Sequence, residues 1–166
     1  MEQNLTTFFY PSPIGDIYCT FAGDFIVDVS IGKNESGNSV SEKPSKTATL
    51  FFKELDAYFN GDLHNFKQRL KFLIGTPFEQ KIWLALKTIP YGEFRTYKWI
   101  AEQAGSPYAV RAAGQALKKN PLPIVLPCHR IVASGGGLGG FSCGVEKKIW
   151  LLRHEGALGR QSLRWG

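Results

Sequence analysis

Between Asn120 and Val132 the chain reads NPLPIVLPCHRIV, and this stretch limits the fold more than any other. Pro121, Pro123 and Pro127 forbid a regular helix, because each lacks an amide donor and collides with the preceding turn. Leu122, Ile124, Val125, Leu126, Ile131 and Val132 are too apolar for a surface loop. The segment from Leu122 to Val132 is therefore predicted to run buried and extended. It carries Cys128, His129 and Arg130 in consecutive positions. A domain must be assembled around a buried segment that bears a thiol, an imidazole and a guanidinium.

Cys128 has two readings. Buried cysteines commonly serve as small hydrophobes, and Cys19 fits that role. A thiol beside an imidazole or a positive charge is instead a candidate nucleophile, with its pKa drawn down from about 8.5. His129 and Arg130 are immediate neighbours, yet adjacent residues of an extended chain point to opposite sides. Contact between Cys128 and His129 then calls for a bridging water. A histidine base also needs an orienting carboxylate. Glu155, in RHEG near the end of the last predicted helix, is the candidate, and His154 reads as a C-terminal residue favoured by the helix dipole. The three cysteines, Cys19, Cys128 and Cys143, are too sparse for a disulfide framework. No C-x-x-C or H-x-x-x-H pair offers a local metal site.

The chain as a whole suits one ordinary domain or two small ones. Residues 6–32 alternate aromatic or β-branched residues with small ones, broken by PSPIGD and AGD, which predicts an antiparallel meander. From Ser45, Phe51, Leu55 and Phe59 recur every fourth residue, a helix stopped by Asn60-Gly61. HNFKQRLKFLIGT suggests one more strand. Thr76-Pro77 opens a second region, with Thr76 as N-cap and Phe78, Ile82, Ala85 and Ile89 on one face. Two short helices, TYKWIAEQA and PYAVRAAGQALKK, follow around Gly105-Ser106, with Ser106 as cap and Pro107 as first helical residue. That outline is a helix-turn-helix. VEKKIWLLRHEG is a last helix with Val145, Ile149 and Leu152 inward and Gly156 as its stop. The glycines of 135–140 form a flexible surface loop without Walker order. The fold class is thus a small α/β (α+β) domain with antiparallel strands over residues 1–75, then a mainly helical domain over 76–166.

Lys and Arg number 20 against 14 Asp and Glu, a net charge of +6. The excess is concentrated between Lys87 and Arg130. In the second short helix Arg111, Gln115 and Lys118 share an outward face, while Ala109, Ala112, Gly114 and Ala116 keep the helix thin. A solvated basic face and a nucleic-acid surface both fit this pattern. No apolar run approaches the roughly 20 residues of a membrane span. The N-terminus lacks the basic and apolar parts of a secretory signal, so a cytoplasmic protein is expected.

NPLPIVLPCHRIVASGGGLGGFSCG, YGEFRTYKWIAEQAGSPYAVRAAGQALKKN and WLLRHEG together resemble the O6-alkylguanine-DNA alkyltransferases over about residues 76–157. Cys128 is preceded eight positions earlier by Asn120 and seventeen by Arg111, as in that family. The resemblance implies a ribonuclease H-like N-terminal domain and a helix-turn-helix domain. It implies irreversible, single-turnover transfer of an alkyl group from O6-alkylguanine in DNA to Cys128, with O4-alkylthymine a further candidate substrate. His129 corresponds to a histidine acting through water, Glu155 to the glutamate behind it, and Tyr97 to a hydrogen-bond donor to the flipped base. Asn120 corresponds to a hinge and Ser142 to a donor to O6; Ile131 and Leu117 are the remaining substrate-side positions. Arg111 corresponds to the residue filling the gap in the duplex, with Ala112, Gln115, Lys118, Ser106, Ser134 and Lys98 as further DNA contacts. The implied partner is double-stranded DNA with an alkylated guanine, bound by a monomer, with cooperativity left open. No cofactor or metal is implied. Cys143-Gly144 departs from the usual Gly-Gly and is expected to narrow the pocket. A non-catalytic lesion-binding relative is the alternative reading, although such proteins replace the acceptor cysteine.

Overall fold

The computed structural model describes residues 4–159, so the last residues of the 76–166 region lie outside it. The chain separates between Leu73 and Ile74 into two compact units. In the first, β1 (Leu5–Ser12), β2 (Gly15–Ala22) and β3 (Phe25–Ile31) form an antiparallel meander in that order. Phe8 pairs with Cys19, and Cys19 with Val29. Gly23 turns the second hairpin at φ 59, a conformation that a tight hairpin loop needs and glycine adopts without strain. Cys19 is fully buried, and burial pushes its thiol up to about 12. It acts as a small apolar residue.

Helix α1 (Lys46–Phe59) starts where Ser45 accepts a hydrogen bond from the Ala48 amide. Its buried stripe is Ala48, Phe51, Leu55 and Tyr58, not Phe51, Leu55 and Phe59. An i, i+4, i+8 series drifts round the helix, so Tyr58 takes the inward place. Phe59 is half-buried and stacks on Tyr10. The strand expected over residues 64–76 reduces to one parallel bridge between Ile26 and Leu70.

In the second unit α2 (Pro77–Ala85) begins with a reciprocal capping box. The Glu79 amide donates to Thr76 Oγ1 and the Thr76 amide to Glu79 Oε1, with Pro77 in the first turn. Ile82, Trp83, Leu86 and Ile89 are buried, whereas Phe78 and Ala85 are only partly so. Trp83 Nε1 donates to the Ala116 carbonyl at 2.8 Å. That carbonyl belongs to the last turn of α4 (Val110–Lys118), where carbonyls lack helical partners. Helix α3 (Tyr97–Gln103) is capped by Thr96. Helix α4 has Ala109 as N-cap without a side-chain bond. Ser106 and Pro107 precede it in a turn closed by the Ala109 amide on the Ser106 carbonyl, so they do not cap and open the helix as expected.

Residues 120–132 are buried throughout, but only Ile131–Val132 is extended. Apolar content revealed the burial and misled on the shape. The chain turns tightly after Asn120, whose Nδ2 donates to the Leu126 carbonyl at 2.9 Å and whose Oδ1 accepts from the Leu122 amide at 3.0 Å. Ile124 sits inside that turn at φ 74, a strained left-handed conformation for a β-branched residue. Cys128–Arg130 then form one 3₁₀ turn. Strand β4 (Arg95–Thr96) pairs in parallel with β5 (Ile131–Val132). In this register Tyr97, the first residue of α3, continues past Thr96 level with Ala133, while the Cys128–Arg130 turn leads into Ile131.

Helix α5 (Val145–His154) buries Lys148, Leu151 and Leu152, while Val145 is 42% exposed. The inward face is therefore rotated from the one expected, and it carries a lysine. Among the described residues no helix is long and apolar enough to cross a membrane.

Gly75, at φ 103, lies against Trp83; a Cβ there would sit 2.4 Å from the indole ring. Gly75→Ala is expected to destabilise the protein by about 2 kcal/mol or more in urea unfolding, from overpacking added to backbone strain. Gly105→Ala, also at positive φ but in open space, should cost about 1 kcal/mol.

Candidate active site

Cys128 lines a cavity of about 250 Å³ and is itself 5% exposed. Tyr97, Phe141 and Ser142 share that cavity, and Arg111, Gly114, Gln115, Leu117 and Lys118 of α4 line its mouth side. The volume lies below the roughly 300–1,000 Å³ usual for drug-sized ligands. It suits a single small planar group.

The thiol is protonated at rest. Burial pushes Cys128 up to about 11, against the opposing pull of a hydrogen bond with Asn120 and the charge of Lys148. The lowering expected from its sequence neighbours is thus outweighed by desolvation.

His129 is fully buried, and its Nε2 lies 2.9 Å from Glu155 Oε2. Burial keeps the imidazole neutral below its usual range despite the nearby carboxylate. Burial alone would raise Glu155, but the charges and hydrogen bonds of His129 and Arg130 hold it well below the usual carboxylate range. An ionised Glu155 accepts, so Nε2 carries the imidazole proton. The basic nitrogen is then Nδ1, which is buried and finds no protein partner. Nδ1 is thus a buried acceptor that no protein donor fills.

Arg130 fixes this pair from the other side. Its Nε donates to Glu155 Oε1 at 2.7 Å, its Nη2 to Oε2 at 3.0 Å and its Nη1 to the Ile89 carbonyl at 2.8 Å. The bidentate fork leaves Glu155 one orientation, aimed at His129. Sequence reasoning weighed Arg130 only as a charge near the thiol.

Tyr97 is half-buried, and its phenol accepts from the Gly140 amide at 3.2 Å. Burial raises its pKa, so the hydroxyl keeps a proton to donate. Gly139, at φ 76, passes so close that a Cβ would lie 2.5 Å from that hydroxyl. The glycine-rich loop is therefore fitted to the tyrosine at this point.

Lys148 was missed because a lysine on an amphipathic helix reads as surface. Its side chain is buried, with Nζ donating to the Ile131 carbonyl at 2.5 Å and the Gly140 carbonyl at 2.9 Å. Burial pushes it down to about 8, which leaves it mostly ammonium at neutral pH. It ties β5 to the Gly140–Ser142 edge of the cavity, and its charge favours the Cys128 thiolate.

The other candidate residues fall into three groups. Leu117 and Ser142 line the cavity, while Asn120 stands behind it, holding the segment that carries Cys128. Ile131 is fully buried and is not among the lining residues; its carbonyl serves Lys148 instead. Arg111, Ala112, Gln115 and Lys118 are exposed on α4, Lys98 is exposed on α3, Ser106 is half-buried before α4, and Ser134 is exposed in the glycine loop. Cys143 is half-buried, with Sγ 4.0 Å from Ser142 Oγ, and is not among the lining residues. Among the described residues no cluster of three or more His, Cys, Asp or Glu could hold a metal ion.

Comparison with known proteins agrees with this geometry. A family model described as the 6-O-methylguanine DNA methyltransferase DNA-binding domain matches residues 77–157. A methylated-DNA–protein-cysteine methyltransferase of Mycobacterium leprae is 40% identical over 146 residues, 87% of this chain and 88% of that protein. The chain belongs to this family. A relative of the same name from Methanosarcina acetivorans is 38% identical and covers 89% of this chain and 96% of its own. The crystal structure of Mycobacterium tuberculosis O6-methylguanine methyltransferase superposes with a TM-score of 0.83 at 35% identity, covering 93% of this chain and 94% of that one. A second structure, M. tuberculosis OGT in complex with DNA, has the same TM-score at 36% identity, with 92% and 93% covered.

Glu155→Ala strands the Arg130 guanidinium in the interior, and breaking a buried pair this way costs roughly 3–5 kcal/mol. Urea unfolding at pH 7 should show a loss of that size. A loss under about 1 kcal/mol would mean that the pair does not hold the unit together.

Proposed function

We propose that the chain repairs alkylated DNA by moving the alkyl group from O6 of guanine to its own Cys128, once per molecule. The observation that carries this reading is the cavity of about 250 Å³ that joins Cys128 to the phenol of Tyr97 and opens beside Arg111. A base-sized pocket next to an exposed cationic helix suits a nucleotide turned out of a duplex.

The O6 atom lies within the stacked duplex, so the nucleotide must be extruded, at a cost of a few kcal/mol. Arg111 occupies the vacated space. Gln115, Lys118, Lys98 and the turns at Ser106 and Ser134 contact the sugar-phosphate backbone, which gives position without sequence preference. Gly114 supports this face. A Cβ there would meet Tyr97 only at 3.8 Å, an ordinary contact. Nothing inside the protein therefore demands a mid-helix glycine, which costs about 0.5–1 kcal/mol against alanine. Close approach of an external backbone accounts for it.

In the pocket, the Cys128 proton passes through a water to His129 Nδ1, while Glu155 steadies the resulting imidazolium through Nε2. The sulfur attacks the alkyl carbon in line. A C–S bond forms, the C–O6 bond breaks, and its electron pair moves through O6 into the purine ring. Tyr97 donates to the ring, and Ser142 to O6, as that charge develops. The proton taken from the thiol ends on the guanine ring, so the base leaves neutral. The thioether has no hydrolytic exit, so turnover stops at one. A lesion-binding protein without chemistry would have no use for a thiol in this cavity.

Incubation with duplex containing O6-methylguanine should add the mass of one methylene to the Cys128 peptide, never exceeding one per protein. Cys128→Ala should gain none and still bind the duplex. Modification elsewhere, or continued turnover, would refute the assignment.

The relay also predicts a pH profile with free O6-benzylguanine. Internal transfer from sulfur to His129 makes the rate nearly flat from about pH 7 to 8, because no proton is lost to solvent. Above about pH 8 it declines, as Lys148 loses the charge that favours the thiolate. The rate falls on the acid side, as the imidazole, which burial holds below its usual range, takes up a proton and ceases to be an acceptor. A rise of tenfold per pH unit across the flat range would mean that the thiol ionises to bulk water instead.

A further inference from the structure

We infer that Tyr108 is a neutral DNA-gripping residue, its phenol donating to a phosphate and its ring packing against the adjoining deoxyribose. The inference rests on the repair reading above and adds a contact that the sequence did not suggest.

Tyr108 is 101% exposed, the most exposed large hydrophobic residue described. It belongs to the short turn before α4, between Pro107 and the Ala109 amide that bonds the Ser106 carbonyl. Pro107 and that hydrogen bond stiffen the turn, so little freedom remains to be lost on binding. Three, four and seven residues on lie Arg111, Ala112 and Gln115, all exposed, and Lys118 and Lys119 follow. Tyr108 thus stands in the turn that leads directly into α4, whose Arg111, Gln115 and Lys118 line the Cys128 cavity.

Charge selects the occupant. Helix α4 holds Arg111 and Lys118 and no acidic residue, and its first turn exposes amides without a side-chain cap. A polyanion fits that surface; an acidic peptide would lack any reason for the narrow Ala112–Gly114 track. Tyrosine is suited to the edge of such a contact, because the ring covers sugar while the hydroxyl reaches a phosphate oxygen. Unlike a lysine, it releases no counterion.

That difference gives the test. Duplex affinity of the full chain is measured by anisotropy of a labelled O6-methylguanine duplex across a salt series. Tyr108→Ala should weaken binding about tenfold, the effect of losing a hydrogen bond to a charged group with its packing. The slope of log affinity against log salt should stay as in the native protein. Lys118→Ala should lower affinity and flatten that slope by about 0.9. Tyr108→Phe should fall between native and Tyr108→Ala. Unchanged affinity in Tyr108→Ala overturns the inference, as does a flattened slope. The rate with free O6-benzylguanine should change less than twofold in Tyr108→Ala; a larger loss would mean a damaged pocket and would also overturn it. If the native protein transfers no alkyl group from any duplex, the repair reading itself fails, whatever Tyr108 does.

Discussion

The carboxylate of Glu155, buried where α5 ends, is the constraint on which the second unit depends. It is held by a bidentate guanidinium and in turn orients an imidazole. Removing charge from water is costly, and these partners compensate it. The same contacts decide the chemistry. Because Arg130 keeps Glu155 ionised, the imidazole proton stays on Nε2 and the basic lone pair on Nδ1. The electrostatics of folding and the tautomer of the imidazole are here one arrangement.

The second constraint is geometric. Two residues of parallel pairing, Arg95–Thr96 with Ile131–Val132, tie the strand that leads into α3 to the strand that follows the thiol-bearing turn. Thr96 caps that helix, so the position of Tyr97 is set by backbone bonds on both sides. The Trp83 bond to the Ala116 carbonyl anchors the far end of α4 in the same unit. The cavity is enclosed by elements whose termini are individually tied.

Local signals in the sequence were readable where one residue type has one strong use. Thr76 and Pro77 spell a helix start, and the alternation of residues 6–32 spells a meander. Reading failed where burial was mistaken for conformation. The run from Leu122 to Val132 is apolar because it is interior, yet side-chain bonds from Asn120 fold it into a tight turn. Ser106 and Pro107 have the right identities for a helix start, but a preceding turn uses them. Lys148 could not be found by pattern, since only tertiary contact supplies the carbonyls that make its burial tolerable. The cysteine, histidine and glutamate were legible as a set through their resemblance to a family. Their protonation states were not, because desolvation is a property of the folded interior.

The lysine that holds the Ile131 and Gly140 carbonyls also limits how far the cavity wall can move. The glycine-rich rim could flex widely by its composition, but one of its carbonyls is moored to a helix through an ammonium with no exposure to solvent. Any group that enlarges the cavity lined by Phe141 and Leu117 on that side must uncouple the mooring and leave a cation without a ligand. The width of the cavity is therefore governed from beneath the rim by an inward-facing side chain.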